Sequence, residues 1–390
     1  MNGEHDAELR VRPSAPTREP EIWTPELQAK VDWRREAADE PLRGVVTSDG
    51  PVPGLYPLTG TGVDTTRIRE AAAAYLRALT PNELHAARFP MRDVTWRHWN
   101  NGARYFLRHG LLLEDLDDVK RRLALDLVRA SLSEAGYRQV IDLMRLNLTI
   151  GEIRGETDML NEWLYWFSVY GDPLGDGPFG WQLDGHHVNV NCALVEDHMV
   201  LTPTFLGAEP VVAHGGKFAG TTAFRAEEAA GQELFAGLSA PQRARATIAD
   251  ELPDELHVGA FRDNWELDYA GLPLSELTGD RRRSALELIA LYTDRANPGH
   301  AKVRMDEVLA HAGDTWFGWV GDPDGVFYYR LHSPVILVEF EHMPGVMYAN
   351  DHPTRRHIHT IVRTPNGGDY GADLLRQHHA RHPHNGPRRK

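Results

Sequence analysis

Side chains able to hold a metal ion or move a proton are concentrated between residues 348 and 384. Seven of the chain's 20 histidines fall there: His352, His357, His359, His378, His379, His382 and His384. The centre of the stretch, His357-Ile358-His359-Thr360-Ile361-Val362-Arg363, alternates as a strand does. His357 and His359 therefore point to one side, and Ile358, Thr360 and Val362 to the other. The turn Thr364-Pro365-Asn366-Gly367-Gly368 follows, with Asp369 placed to cap the next element. From Gly371 a helical period puts Leu374, Leu375, His378 and His382 on one face, and the two histidines, four apart, become stacked neighbours. Neutral imidazole is the common protein ligand for zinc, copper and non-haem iron, so the two pairs together point to a metal site.

A further pair, His186-His187, lies in a stretch (179–194) that alternates as one strand. On a regular strand His187 shares a face with Asn189 and Asn191, and His186 with Val188 and Val190, so both histidines reach one site only through a bulge near Gly185. The candidate ligands are thus His186 or His187, His357 and His359, and His378 or His382, with Asp369, Asp184 or Glu339 as oxygen donors. Glu339 sits inside an apolar strand, where a charge is costly without a partner such as Arg363 or Arg330 across the sheet. Arg363 is placed either to bind a substrate carboxylate or to close that ion pair.

The elements that must position these groups are legible as periods. Helices are expected from Asp64 to Leu79, near 82–87, over 108–132 and from Ser133 to Leu148. Further helices are expected at the start of 157–169, over 226–235, 240–248, 285–296 and 303–312. Strands are expected over 179–194 and 200–207, and then as an antiparallel meander over 315–320, 326–331, 335–340 and 357–363 with tight turns between the first three. The fold class is α+β, with a largely helical N-terminal half and antiparallel sheet segments, in one large domain over 64–384. Residues 1–63, rich in proline and charge, read as an irregular arm, and 385–390 as a basic tail.

Composition narrows the function. Acidic residues outnumber basic ones 56 to 42, a formal charge of -14, which disfavours a nucleic-acid partner. Cys192 is the only cysteine, so there is no intrachain disulfide or thiolate cluster, and a metal would be held by nitrogen and oxygen. No apolar run is long enough to cross a bilayer and the first residues lack the pattern of a signal peptide, so the cytoplasm is the expected compartment. HExxH, GxSxG and phosphate-loop signatures are missing.

Several motifs occur together in order: WQLDGHHVNVN (181–191), TPTFLG (202–207), TWFGWVG (315–321), YYRLHSP (328–334), HIHTIVR (357–363) and DYGADLLRQH (369–378). In this the chain resembles the family catalogued as domain of unknown function 3500, over about 64–382, its helical part matched by the LLLEDL and SLSEAGY region of 111–137. The resemblance implies one continuous domain in which the GHH and HIH strands share a body, and it supplies no reaction. The residues themselves point to a metal-dependent oxidoreductase, using iron or copper with dioxygen on a small anionic substrate that Arg363 orients. The alternatives are a zinc hydrolase, with Asp369 or Glu339 activating water, or a non-catalytic metal-binding protein.

Overall fold

Strand alternation decides how this chain packs. Along 165–208 and 316–363 one set of alternate positions is apolar and the other is rich in Asn, Gln, Asp, Glu, His and Arg, so a sheet built from them has one oily and one polar face. The computed structural model describes residues 24–102, 107–346, 348 and 350–382. Its elements in the first half are α1 (Pro25–Asp39), α2 (Thr66–Ala78), α3 (Pro81–Ala87), β1 (Arg88–Phe89), β2 (Leu111–Leu112), α4 (Asp118–Ser131), α5 (Glu134–Arg154), β3 (Tyr165–Gly171), β4 (Phe179–Gly185) and β5 (Val188–Val195). There follow β6 (His198–Val200), β7 (Thr204–Ala208), α6 (Arg225–Ala236), α7 (Ala240–Ala246), β8 (Leu272–Pro273), α8 (Gly279–Thr293) and α9 (Pro298–Ala310). The chain continues through β9 (Trp316–Gly321), β10 (Phe327–His332), β11 (Leu337–Pro344), β12 (Pro353–Arg363) and α10 (Ala372–Arg381).

All twelve strands belong to one sheet, ordered β1-β3-β4-β5-β7-β12-β11-β10-β9-β8, with β2 on β3 and β6 on β5. The pairings are antiparallel except for the short β1 beside β3. The α+β reading therefore stands. The N-terminal half is not simply helical, because β3, β4 and β5 fall within it and form one side of the sheet, next to the central β7 and β12. The GHH region and the C-terminal meander are joined through β7 and β12.

The oily face carries Phe167, Trp181, Val190, Leu206, Ile358, Phe340, Tyr329 and Trp319, packed in one cluster with Tyr75 of α2, Leu127 of α4, Met144 of α5, Phe235 of α6 and Leu288 of α8. Each large apolar side chain taken out of water there contributes about 1.5–3 kcal/mol. The polar face is buried too, under chain that includes Trp96, Trp99, Leu256, Val258 and Tyr370. It holds Ser168, Gln182, Asp184, Asn189, Asn191, His359, Arg363, Glu339, Glu341 and Arg330, all almost inaccessible to water.

Several local expectations change. Residues 108–117 form β2 and a short 3-10 turn rather than the start of a helix; Asp117 caps α4 through the N–H groups of Val119 and Lys120. The aromatic run after Asn161 is strand β3, not helix, because Tyr165, Phe167 and Val169 fill the oily face at strand spacing. Within the proline-rich segment before residue 64, α1 is helical, and Arg97 donates to the carbonyls of Ala37 and Ala38 at its C-terminal end, 2.7 and 2.6 Å away. The tail at 385–390 and His384 lie outside the described residues. No described helix is long and apolar enough to cross a membrane.

Arg363 shows how the polar face is balanced. Its Nη1 meets Asp263 at 2.5 Å and Asp369 at 3.1 Å, while Nε and Nη2 donate to the carbonyls of Val258 and Gly259. Burial alone would raise the Asp263 carboxyl, yet Arg363 and Arg97 hold it below its ordinary range. Arg363→Met should cost about 3–5 kcal/mol, because two buried carboxylates lose their main counter-charge; a urea-unfolding loss below about 1 kcal/mol would refute this reading. A second expectation concerns acid. Desolvation pulls His109 down to about 4 and His332 well below the ordinary histidine range, whereas an unfolded chain titrates near about 6.5. Stability is therefore complete above about pH 6.5 and falls as pH drops, by up to about 1.4 kcal/mol per pH unit for each histidine. Unfolding midpoints at about pH 7.5 and about pH 5.5 should differ in that direction, and equal midpoints would contradict it.

Candidate metal centre

Strands β4 and β5 are joined by only two residues, His186 and His187, since Gly185 pairs directly with Val188. The stretch read as one continuous strand is thus a hairpin. His187 has a φ of 65°, the left-handed region that a turn of this length demands. Its N–H donates to the Asn101 carbonyl at 3.2 Å and its own carbonyl accepts from Gly207 at 2.8 Å. The turn thereby aims His187 at β12, where His359 stands opposite Gly207 of β7.

Three imidazoles converge. Nε2 of His357 lies 2.9 Å from Nε2 of His359 and 3.3 Å from Nε2 of His187, and the remaining pair is 3.2 Å apart. All three rings are buried. His357 Nδ1 donates to the Pro344 carbonyl at 2.7 Å, which leaves its Nε2 lone pair facing the other two rings. Burial first, and then the neighbouring imidazoles, hold His187 and His359 well below the ordinary histidine range, so both rings are neutral and able to ligate.

The spacing itself is chemical information. Metal–nitrogen bonds of about 2.0–2.1 Å place ligating nitrogens about 3.3 Å apart in a tetrahedral site and about 2.9 Å apart on an octahedral face. The triangle lies between these two limits. Three converging lone pairs repel unless a cation or proton sits among them, so the donor set fits one divalent transition ion.

Carboxylates stand behind the ligands. Glu341 is opposite His359 in register and its Oε1 is 3.4 Å from His359 Nδ1. Glu209 Oε2 is 3.8 Å from His357 Nδ1 and accepts the Val346 N–H, while Oε1 accepts the Tyr348 N–H. Neither Glu341 oxygen has a hydrogen-bond partner among the described residues. Burial and then the nearby Glu339 push that carboxyl well above its ordinary range. A metal ion one imidazole away would supply compensating positive charge, in the carboxylate–histidine–metal arrangement.

Other groups named from sequence are placed elsewhere. His186 stacks on His187 at 3.9 Å, but its Nδ1 bonds Asn147 Oδ1 at 2.7 Å, and burial drives it down to about 3; it braces the triad from behind. His378 and His382 lie beside Glu196, at the opposite end of β5, about 30 Å away by strand rise. Glu339 accepts from the backbone of His257 and Val258 and from Tyr328 Oη, while Arg330, opposite it in register, donates to the Asp268 carbonyl. Asp369 does not cap α10, whose N-cap is Gly371; it accepts from the Thr364 N–H and pairs with Arg363. Asp184 pairs with Arg108 and accepts the Asn100 N–H. Sequence reading missed Glu341, Glu209, Gly207 and Asn189. Only strand register reveals the first three as neighbours of the triad, although the Glu339-Phe340-Glu341 alternation did place both carboxylates on one face.

Fold and site together define an α+β protein with a buried three-histidine centre suited to a metal ion. The chain belongs to the family described as protein of unknown function (DUF3500), whose model matches residues 61–372. Comparison with curated proteins and with solved structures finds no match.

Gly207 gives a direct test of the geometry. A Cβ there would lie 2.7 Å from His359 Cδ2 and 3.2 Å from His187 Cδ2, wedged between two of the three rings. Gly207→Ala should spread the triangle, and Glu341→Gln should leave it unsupported, each weakening metal affinity about 10–100-fold. Competition against a chromophoric chelator measures this, and unchanged affinity in both variants would remove the triad from consideration.

Proposed function

We propose that the protein is a metal-dependent oxidoreductase in which His187, His357 and His359 hold one redox-active ion, iron or copper, that works with dioxygen on a small substrate. The observation that carries the proposal is the convergence of three Nε2 atoms within 3.3 Å of one another in the interior. Three protein ligands leave coordination positions open, as catalytic rather than structural sites do. An ion held there would pass electrons from the substrate, which is oxidised, to dioxygen, which is reduced.

The chain's own residues shape the rest of the pocket. Phe205 packs its ring 5.0 Å from His359. Asn189, two residues beyond His187 on the same face, is fully buried with both amide atoms unpartnered among the described residues. It offers one donor and one acceptor to a polar substrate. Arg108, lying over Trp166 and paired with Asp184, which stands opposite Asn189 in register, is the better candidate for attracting an anionic group. Arg363 is fully engaged by two carboxylates and two carbonyls. The hydrolytic alternative assigned the base to Asp369 or Glu339, and both are committed to other partners; a hydrolase built on this triad would have to draw its base from Glu341.

Elemental analysis of untagged protein should find iron or copper near one equivalent per chain, lost in the His357→Ala/His359→Ala double variant while the fold persists. Oxygen uptake with small carboxylates should follow metal content. Zinc in place of iron or copper would move the assignment to hydrolysis, and no metal after reconstitution would overturn the centre itself.

A further inference from the structure

The cluster left over from the triad has its own geometry. His378 and His382 stand one turn apart on α10, with ring centroids 4.8 Å from each other. Facing them from the β5–β6 turn is Glu196, whose Oε1 is 3.1 Å from His378 Nδ1 and 3.9 Å from His382 Nε2. One carboxylate oxygen thus faces two imidazoles, and the three ligand atoms all lie within 4.8 Å of one another. An ordinary ion pair would engage one histidine and leave the other idle. Here both point at the same oxygen.

Both halves are held in place independently of any ion. Glu196 has a φ of 58°, and the turn it occupies is pinned by its neighbour Asp197, which accepts the N–H groups of Thr61 and Gly62 at 2.7 and 2.8 Å and whose carbonyl meets His300 Nε2 at 3.0 Å. On the other side, Leu374 and Leu375 anchor α10 among Tyr56, Leu58 and Val195. Gln377 fixes its rotation by bonding the Tyr56 carbonyl and the Leu58 N–H at 2.6 and 3.0 Å. A site whose ligands are pre-positioned loses little entropy on binding.

We infer that Glu196, His378 and His382 form a second, independent metal site for a divalent ion of zinc-like preference, which clamps the C-terminal helix onto the β5–β6 turn. Two nitrogens and one oxygen suit zinc, with water in the fourth position. The His382 side chain is 59% exposed, against 1% for His357 in the triad, so this site opens to solvent whereas the triad is buried. The two sites share no ligand and lie at opposite ends of β5. The outer one therefore acts on α10 and leaves the triad's composition unchanged.

The test uses the full untagged chain, stripped with chelator and titrated with Zn2+, counting bound ions after dialysis. Wild type should hold two equivalents; Glu196→Gln and His382→Ala should each lose one, and His187→Ala should lose the other. His379→Ala, one residue from His378 but outside the cluster, should keep both. Amide exchange across α10 should slow at least tenfold when Zn2+ is added to wild type and not change in His382→Ala. If the triad takes no metal, wild type holds one equivalent that still depends on Glu196 and His382, which separates failure of the inner site from failure of this one. The inference is overturned if Glu196→Gln and His382→Ala bind as many ions as wild type, or if His379→Ala loses as much as they do, which would mark adventitious binding by surface histidines.

Discussion

A sheet covered on both sides cannot leave polar groups without partners, and that requirement governs this fold. Burying an unpaired amide, carboxylate or guanidinium costs more than most single contacts return. The oily face meets the condition with few groups: Tyr329 Oη donates to the Glu227 carbonyl, Thr360 Oγ1 to the Leu206 carbonyl, and His342 bonds Glu228. The polar face meets it by pairing: Arg363 with Asp263 and Asp369, Glu339 with two backbone N–H groups and Tyr328, Gln182 with Asn191. The pairing is incomplete at several places along this face among the described residues, including Gln182 Oε1, Asp184 Oδ2, Arg330 Nε and both oxygens of Glu341, the last standing opposite His359 in register.

The triad in turn depends on three strands being locked in one register. His359 faces Gly207, Gly207 donates to the His187 carbonyl, and His187 sits in the tightest connection of the sheet. A shift of one residue in β12 would send His357 and His359 to the oily face and bring Ile358 inward. The apolar cluster prevents that slip, because Ile358 and Val362 are already packed in it. The hydrophobic core thus sets the ligand geometry without touching the ligands.

What could be read beforehand follows from the range of each interaction. The HxH pair was legible because strand parity is a local property, and helices α2, α5, α6, α8 and α10 were legible from their periods. The position of His187 was not: period-two alternation runs through the hairpin with no proline, asparagine or glycine pair to announce the turn, and Gly185 alone suggested only a bulge. The helical pair His378 and His382 was assigned to the triad because adjacency in sequence stood in for adjacency in space, whereas β5 separates them by its full length. Asp369 and Arg363 looked catalytic because charged groups near a histidine strand invite that reading. Their partner Asp263 lies 100 residues from Arg363 in sequence and leaves no local trace.

Charge balance gives the last constraint on the centre. Imidazole ligands donate electron pairs but no charge, so a divalent ion among them would keep its full positive charge in the interior, where uncompensated charge is expensive. Glu341 and Glu209 each stand behind one ligand and would supply compensating charge through the imidazole rings. An ion in the triad would in turn draw Glu341, whose carboxyl burial and Glu339 otherwise hold well above its ordinary range, back toward its charged form. Ion and carboxylate are therefore linked, each lowering the cost of burying the other.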